Sequence, residues 1–246
     1  DQVEGGGDFV VETGSATDKS VLAMNSTSGP LADVRVREAI RTAIDHDAIV
    51  EAVGAGQTLY GPIPEADPGY EDLSDVVSYD PEAARALLSE AGVSDLALTL
   101  TIPSAYGTTL PQILVSNFND VGIDLKVNPV DFGTWLSDVY TNKDYELSVV
   151  NHAEPRDFEN WANPDYYFTY DNAEVQDLYA QSLLATDEQS ADDLLKKAAR
   201  IVSEDHAADW LYNWASVVAV ATNVSGMPVD NVNARINLAE IAKSDG

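Results

Sequence analysis

Residues 96–150 have the sequence LALTLTIPSAYGTTLPQILVSNFNDVGIDLKVNPVDFGTWLSDVYTNKDYELSVV. Apolar residues in this stretch alternate with polar ones in some runs and recur at helical spacing in others. The patterns predict a strand at 96–102, a helix at 108–121, a strand at 123–130, a helix at 132–140 and a strand at 145–150. Strands that alternate with helices in this way build an α/β fold, in which helices cover a sheet and ligands lie in the loops at strand ends.

Upstream of this stretch, aspartates mark the predicted starts of three helices. Asp33 and Asp45 each precede apolar residues at helical spacing, and Asp80 is followed by Pro81. Aspartate is a favoured N-cap, and proline is favoured at the first helical position. Residues 54–72 then form a long loop rich in Gly and Pro, and long loops in compact domains are often functional.

Downstream, residues 151–172 are an irregular polar and aromatic segment, followed by two predicted helices at 173–185 and 187–207. Residues 211–222 are apolar enough to form one strand. The beginning of the chain, residues 1–18, is Gly-rich and acidic, and the end of the chain is rich in turns. We expect neither end to form a hydrophobic core of its own.

The 246-residue chain carries 42 acidic and 13 basic side chains, a formal net charge of −29. So acidic a chain has too few cations to neutralise a run of phosphates, which excludes nucleic acid as a partner. It also argues against binding to anionic lipids through a basic patch. The acidity fits either a high-salt organism or a secreted protein. The sequence contains no Cys, which suits an exported protein stabilised by its core.

Catalytic and metal-binding motifs are missing from the sequence. It has no nucleophile elbow and no Gly-rich phosphate loop. His152, Glu154 and Asp157 have poor spacing for metal ligands, and the other histidines lie elsewhere. The alternative is a hydrolase that uses a carboxylate pair such as Glu154 and Asp157, but such pairs arise by chance among so many acids. We therefore expect a binding protein with no cofactor and no metal, and not an enzyme.

Four blocks of sequence, in this order, resemble the peptide/nickel family of solute-binding proteins, which is also known as family 5 and includes the oligopeptide- and dipeptide-binding type. They are PLADVRVREAIRTAID at 30–45, GPIP at 61–64 with PGY at 68–70 behind it, YDPEAARALLSEAG at 79–92, and NDVGIDLKV at 119–127. The first block is the most diagnostic. Its Arg35, Arg37 and Arg41 are expected on the solvated side of the helix, where they can pair with neighbouring carboxylates.

The resemblance implies a periplasmic-binding-protein-like α/β fold with two lobes, which close around a ligand by a hinge motion. A typical member is about twice as long as this chain, which corresponds to its C-terminal half. Residues 23–213 would form the second lobe, with a mixed sheet covered by helices. Residues 1–22 and 214–246 would belong to the first lobe, most of which is missing from the sequence.

The resemblance also implies a cellular location and partners. Members lie outside the cytoplasmic membrane, in the periplasm or anchored to its outer face. They capture a small solute or peptide and deliver it to the permease of an ABC importer. We expect a monomer. The ligand stays open, because relatives carry opines, sugars and metal chelates as well as peptides, and the same fold also serves stand-alone chemoreceptor or adhesion domains.

The best candidate for the ligand site is the segment 151–172, because it follows a strand end and mixes aromatic with polar side chains. Tyr60 and Tyr106, in loops, are expected to face the same cleft. The predicted ligand contacts are Asn151, His152, Glu154, Arg156, Asp157, Trp161, Tyr106 and Tyr60. The alternative is a solvated loop in which Trp161 and the tyrosines pack as core.

One departure from the family concerns the ligand's amino terminus. In peptide-binding relatives an Asp a few residues before a Pro pairs with that amine. Counting back from Pro155 places Asn151 at this position, although a deletion in the loop is an equal alternative. Either Glu154 or Asp157 is then a substitute partner for an amine, or the ligand is not a peptide.

Overall fold

The computed structural model describes residues 7–27, 29–54, 56–230 and 236–244. Its strands form one five-stranded sheet and two short ribbons. In chain order they are β1 (Phe9–Gly14), β2 (Lys19–Met24), β3 (Leu96–Pro103), β4 (Ile123–Val130), β5 (Leu147–His152), β6 (Ala208–Asn213), β7 (Ser216–Ala221), β8 (Val224–Ser225) and β9 (Ala242–Lys243).

The helices lie between these strands. They are α1 (Val34–Thr42), α2 (His46–Val53), α3 (Pro81–Glu90), α4 (Thr109–Asp120), α5 (Phe132–Trp135), α6 (Ala173–Leu184) and α7 (Glu188–Glu204). A π-helical turn at Leu136–Thr141 continues α5. The predicted caps are confirmed, because the side chains of Asp33, Asp45 and Asp80 accept hydrogen bonds from backbone N–H groups in the first turns of α1, α2 and α3.

The large sheet is mixed and has the order β4-β3-β5-β2-β6. Strand β3 pairs in parallel with β4 and β5, whereas β2 runs antiparallel to β5 and β6. Side chains from α1, α2, α3 and α4 cover one face of the sheet. Residues from α7 and an aromatic cluster that includes Trp161 and Tyr167 cover the other. The predicted α/β lobe with a mixed sheet covered by helices is therefore confirmed.

One predicted strand differs from the structure, and one expected lobe boundary meets a strand. Residues 211–222 are not one strand, because the chain leaves the large sheet after Asn213 and starts β7, which pairs with β1 in a separate ribbon. Strand β2 begins at Lys19 and lies fully in the large sheet. The expected lobe boundary between residues 22 and 23 therefore falls inside a strand, whereas the boundary after residue 213 coincides with the end of β6.

Candidate ligand-binding cleft

A cleft of about 420 Å³ opens at one edge of the large sheet. At this edge β4 and β5 end and β2 begins, since β2 runs antiparallel to β5. We call this space the cleft. It is lined by Phe132, Trp135, Leu136, Tyr140, Val150, Asn151, His152, Glu154, Pro155, Arg156, Asp157, Glu159, Asn160, Tyr166 and Tyr167. Five of the predicted ligand contacts lie in this lining: Asn151, His152, Glu154, Arg156 and Asp157.

The last residues of β5 place polar groups at the cleft. His152 lies opposite Lys19 of β2 in the register of the sheet, and Asn151 lies opposite Ser20. The backbone N–H of Asn151 donates to the hydroxyl of Tyr106 at 3.2 Å. Tyr106 therefore stands beside the cleft and holds the end of β5, although its side chain is not part of the lining.

A buried ion pair engages one residue of the lining, Asp157. Lys19 Nζ donates to Asp157 Oδ1 at 2.8 Å, and the two side chains are only 1% and 8% exposed. Burial raises the pKa of Asp157, while the charge and hydrogen bond of Lys19 act in the opposite direction. A carboxylate that balances a buried ammonium is costly to divert to another cation. Asp157 is thus already engaged within the protein.

His152 is neutral at physiological pH. Burial and the nearby charge of Lys19 lower its pKa to about 3. Its ring stacks on that of Tyr167, with centroids 6.0 Å apart, and its Nε2 lies 2.9 Å from the Tyr167 hydroxyl, a hydrogen-bond distance. His152 therefore contributes a neutral polar side chain to the cleft lining, held in place by Tyr167, and it cannot form an ion pair with a ligand.

Glu154 and Arg156, in contrast, are exposed and line the cleft. Within the part of the chain that the structure describes, neither side chain makes an ion pair. Arg156 has a φ of 56°, in the left-handed region. Its backbone N–H donates to the buried carboxylate of Asp67 at 2.8 Å, which holds this turn in place. A rigid turn thus presents one anion and one cation to the cleft.

An aromatic wall faces these charges. The ring of Phe132, which is 54% exposed, stacks on Trp135 with centroids 5.6 Å apart. Tyr140 meets Tyr166 edge to face at 5.7 Å. None of these residues is among the predicted ligand contacts. The available signal was their position, because the helix that carries Phe132 starts directly after the end of β4.

Two predicted contacts lie elsewhere. Trp161 is 1% exposed and stacks on Phe168 with ring centroids 4.1 Å apart, so it belongs to the core and not to the lining. The expectation that it faces the ligand is not met, because its large apolar ring is better buried than exposed. Tyr60 lines a separate hollow of about 380 Å³ and packs near His46, so it is not part of the lining of this cleft and its role as a ligand contact stays a prediction.

No helix among the described residues has the length and apolar character needed to cross a bilayer. Among the same residues, no group of three or more His, Asp or Glu side chains is arranged to hold a metal ion.

The model of the family described as bacterial extracellular solute-binding proteins, family 5 middle, matches residues 1–177. The chain belongs to this family. The dipeptide-binding protein of Escherichia coli (strain K12) is 30% identical over 235 residues, which are 85% of this chain and 43% of that protein. Heme-binding protein A of Haemophilus influenzae is 26% identical over 230 residues, 85% of this chain and 40% of that protein.

Solved structures show the same fold. HbpA2 from Haemophilus parasuis superposes with a TM-score of 0.88 at 18% identity, covering 99% of this chain and 51% of that one. A periplasmic binding protein from Helicobacter pylori, solved with the peptide STSA, gives a TM-score of 0.80 at 20% identity, with coverages of 99% and 50%. This family 5 chain therefore spans about half the length of the relatives it matches.

Proposed function

We propose that the chain forms the larger part of one lobe of an extracytoplasmic solute-binding protein, which captures a peptide and delivers it to the permease of an ABC importer. The protein acts by binding, as a monomer and without catalysis or nucleic acid. The observation that carries the proposal is the cleft itself, where an aromatic wall faces an exposed carboxylate and an exposed guanidinium. A zwitterion with apolar side chains, such as a short peptide, matches this arrangement.

The ends of the chain belong to the other lobe in this proposal. Strands β1 and β7 pair with each other and form no ladder with the large sheet. The ribbon also exposes large apolar side chains, since Phe9, Val10 and Val217 are 45%, 50% and 54% exposed. Exposed apolar groups on a short ribbon are expected where another surface covers them. Because β2 is part of the large sheet, we place the lobe boundary before Lys19.

Glu154 is our proposed partner for the ligand's amino terminus. Asp157 is already paired with Lys19, and the side chain of Asn151 carries no charge. Glu154 lines the cleft together with Asp157 and Tyr166, and its charge contributes to the raised pKa of both. Glu159 also lines the cleft, but its charge acts on Tyr179, which lies outside the lining.

The test is calorimetric titration of the full natural protein that contains this sequence. Its ligands are Ala-Phe and N-acetyl-Ala-Phe, which differ in the charged amine. We expect E154Q to weaken binding of the free-amine peptide about 10- to 100-fold, because a hydrogen bond to a charged group contributes roughly 1.5–3 kcal/mol. Binding of the acetylated peptide should be weak in the parent protein and unchanged in E154Q.

The matched control is D165N, which removes an exposed carboxylate from the same irregular segment but outside the cleft lining. If E159Q weakens binding and E154Q does not, the amine partner is Glu159 and our assignment is wrong. If neither peptide binds, while native mass spectrometry of the purified protein shows a different adduct, the peptide proposal itself fails.

A further inference from the structure

A second hollow, of about 360 Å³, shares the lining residues Arg156 and Asp157 with the cleft. We call it the flank pocket. Its walls come from the loop at 62–68, the turn at Asp157–Asn160 and the facing sides of α6 and α7. The side chains of Ile63, Phe158, Tyr179 and Leu195 make most of its surface apolar. The volume falls at the lower end of the range of small-molecule sites.

The charges on the flank pocket are unbalanced. Asp67, Asp157, Glu188 and Asp192 line it, whereas Arg156 is its single basic lining residue among those described. Lys19 already neutralises Asp157. Within the described part of the chain, no basic side chain forms an ion pair with any of the other three carboxylates.

One of these carboxylates is built into the wall. Asp67 is only 8% exposed, and its Oδ2 accepts the backbone N–H of Arg156. A buried carboxylate beside an apolar surface repels anions and gives a neutral apolar molecule no added attraction. An occupant that combines an apolar body with a positive charge satisfies both features of the pocket.

We propose that the flank pocket binds an organic cation with an apolar body about the size of one aromatic ring. The apolar body lies against Phe158, Tyr179 and Leu195, and the cationic end faces the acidic rim formed by Glu188 and Asp192. The site is distinct from the peptide cleft. Because Arg156 and Asp157 border both spaces, an occupant of the flank pocket touches the same turn as a ligand in the cleft.

Three probes of similar size test the proposal: benzylamine, benzyl alcohol and benzoate, titrated by ligand-observed NMR into the full natural protein at low salt. We expect saturable binding of benzylamine with a Kd of about 1 mM, which is reasonable for so few non-hydrogen atoms. Benzyl alcohol should bind at least several-fold more weakly, and benzoate should not bind. Equal binding of all three probes, or no saturable binding of benzylamine, overturns the proposal.

Substitutions then locate the site. Ala191 lies on the pocket wall, so A191F fills the space and should abolish benzylamine binding. The double variant E188Q/D192N removes two rim charges without adding bulk and should weaken binding about three- to tenfold, the size expected for partly exposed charges. It keeps the test valid if A191F does not fold.

Two controls separate the flank pocket from other acidic surfaces. D193N neutralises the neighbouring carboxylate on α7, which does not line the pocket, and should leave benzylamine binding unchanged. E154Q alters only the cleft. If E154Q abolishes benzylamine binding and A191F does not, the amine occupies the peptide cleft and the flank pocket is not a binding site. That outcome would leave the proposed function standing.

Discussion

Arg41 is buried among partners that lie far from it along the chain. Its guanidinium is fully buried and pairs with Asp209, Nε to Oδ2 at 3.3 Å, while His46 donates from Nε2 to the other carboxylate oxygen at 2.9 Å. Burial alone would raise the pKa of Asp209, but His46 and Arg41 outweigh it and the pKa is lowered. The network joins α1, α2 and β6 through one carboxylate. Removing a partner would leave a buried charge uncompensated.

Protonation of His206, which belongs to this network, makes the stability of the fold depend on pH. Its Nδ1 accepts from Arg41 Nη1 at 3.3 Å, and burial together with the charges of Arg41 and Arg37 lowers its pKa to about 4. The unfolded chain, with a histidine pKa near 6.5, binds the proton first as the pH falls. The stability that the neutral ring provides is therefore complete above about pH 6.5 and is lost as the pH falls through about 4.

We predict that urea unfolding of the parent protein loses on the order of 2–3 kcal/mol between pH 7 and pH 4 because of His206 alone, at about 1.4 kcal/mol per unit of pKa. H206N should lack this contribution. Asn offers an acceptor and tolerates the left-handed backbone at this position, where φ is 47°. His152 stays in both proteins and contributes equally to both. Parallel stability curves for the two proteins would contradict the prediction.

The sequence did not predict this burial of arginine. Arg35, Arg37 and Arg41 were all expected on the solvated side of α1, and only Arg35 meets that expectation, since it is exposed and pairs with Asp33. Arg37 is buried and donates to the carbonyl oxygens of Leu31, Asp205 and His206. Helical spacing reports which residues share a face, but the partners of Arg41 lie up to 168 positions away along the chain. Local patterns contain no such information.

Among the elements, those whose ends carry clear capping or turn residues were predicted well. Strand β4 occupies 123–130 as expected, and α3 starts at Pro81 behind its Asp80 cap. The single strand expected at 211–222 was not, because apolar content alone does not show where a chain passes from one sheet to another. Its break at Trp214 is set by pairing, with β6 on β2 and β7 on β1. Which strands pair with each other is determined by the tertiary fold, not by the local sequence.

Gly69 follows the loop at 62–68 and packs closely against Leu195 of α7. Its φ is +82°, and a Cβ at this position would lie 2.6 Å from Leu195 Cβ. We predict that G69A lowers the free energy of unfolding by about 2–4 kcal/mol, because left-handed strain and a steric clash act together. Denaturant unfolding followed by Trp fluorescence measures it.

G92A is the matched control for that substitution. Gly92 has a similar φ of +70°, but an added Cβ would meet nothing within 4 Å. It should cost only the backbone strain, about 1 kcal/mol. Equal losses in the two variants would mean that the loop moves away from α7 freely and that the contact at Leu195 does not hold it.

At the scale of the whole molecule, the position of the cleft could be predicted from topology, whereas its detailed lining could not. An α/β order predicts that loops at strand ends meet at one edge, and six of the seven residues at 151–157 line the cleft there. Two features of the lining depend on contacts between residues that are far apart in sequence. They are the aromatic wall, which includes Phe132 and Tyr140, and the ion pair of Asp157 with Lys19. Aromatic residues serve core and site equally well, so Trp161 and Phe132 were distinguishable only by their packing.

The net charge of −29 makes a prediction about the molecule as a whole. Crowding this charge into a folded volume opposes folding by self-repulsion, and salt screens that repulsion over about 10 Å at 0.1 M and about 3 Å at 1 M. Ion pairs that salt would weaken are few on the described surface; the cluster of Arg200 with Glu71 and Asp75 is one of them.

Repulsion between like charges should therefore dominate the response of stability to salt. We expect the Tm of the 246-residue chain to rise by at least several degrees between 0.02 and 0.5 M NaCl, measured by calorimetry at pH 7.5. Sodium sulfate at matched ionic strength is the control, because screening gives equal rises for both salts, whereas exclusion from the protein surface favours sulfate. A Tm that stays constant or falls in NaCl would show that local ion pairs offset the repulsion, and the acidity would then serve solubility alone.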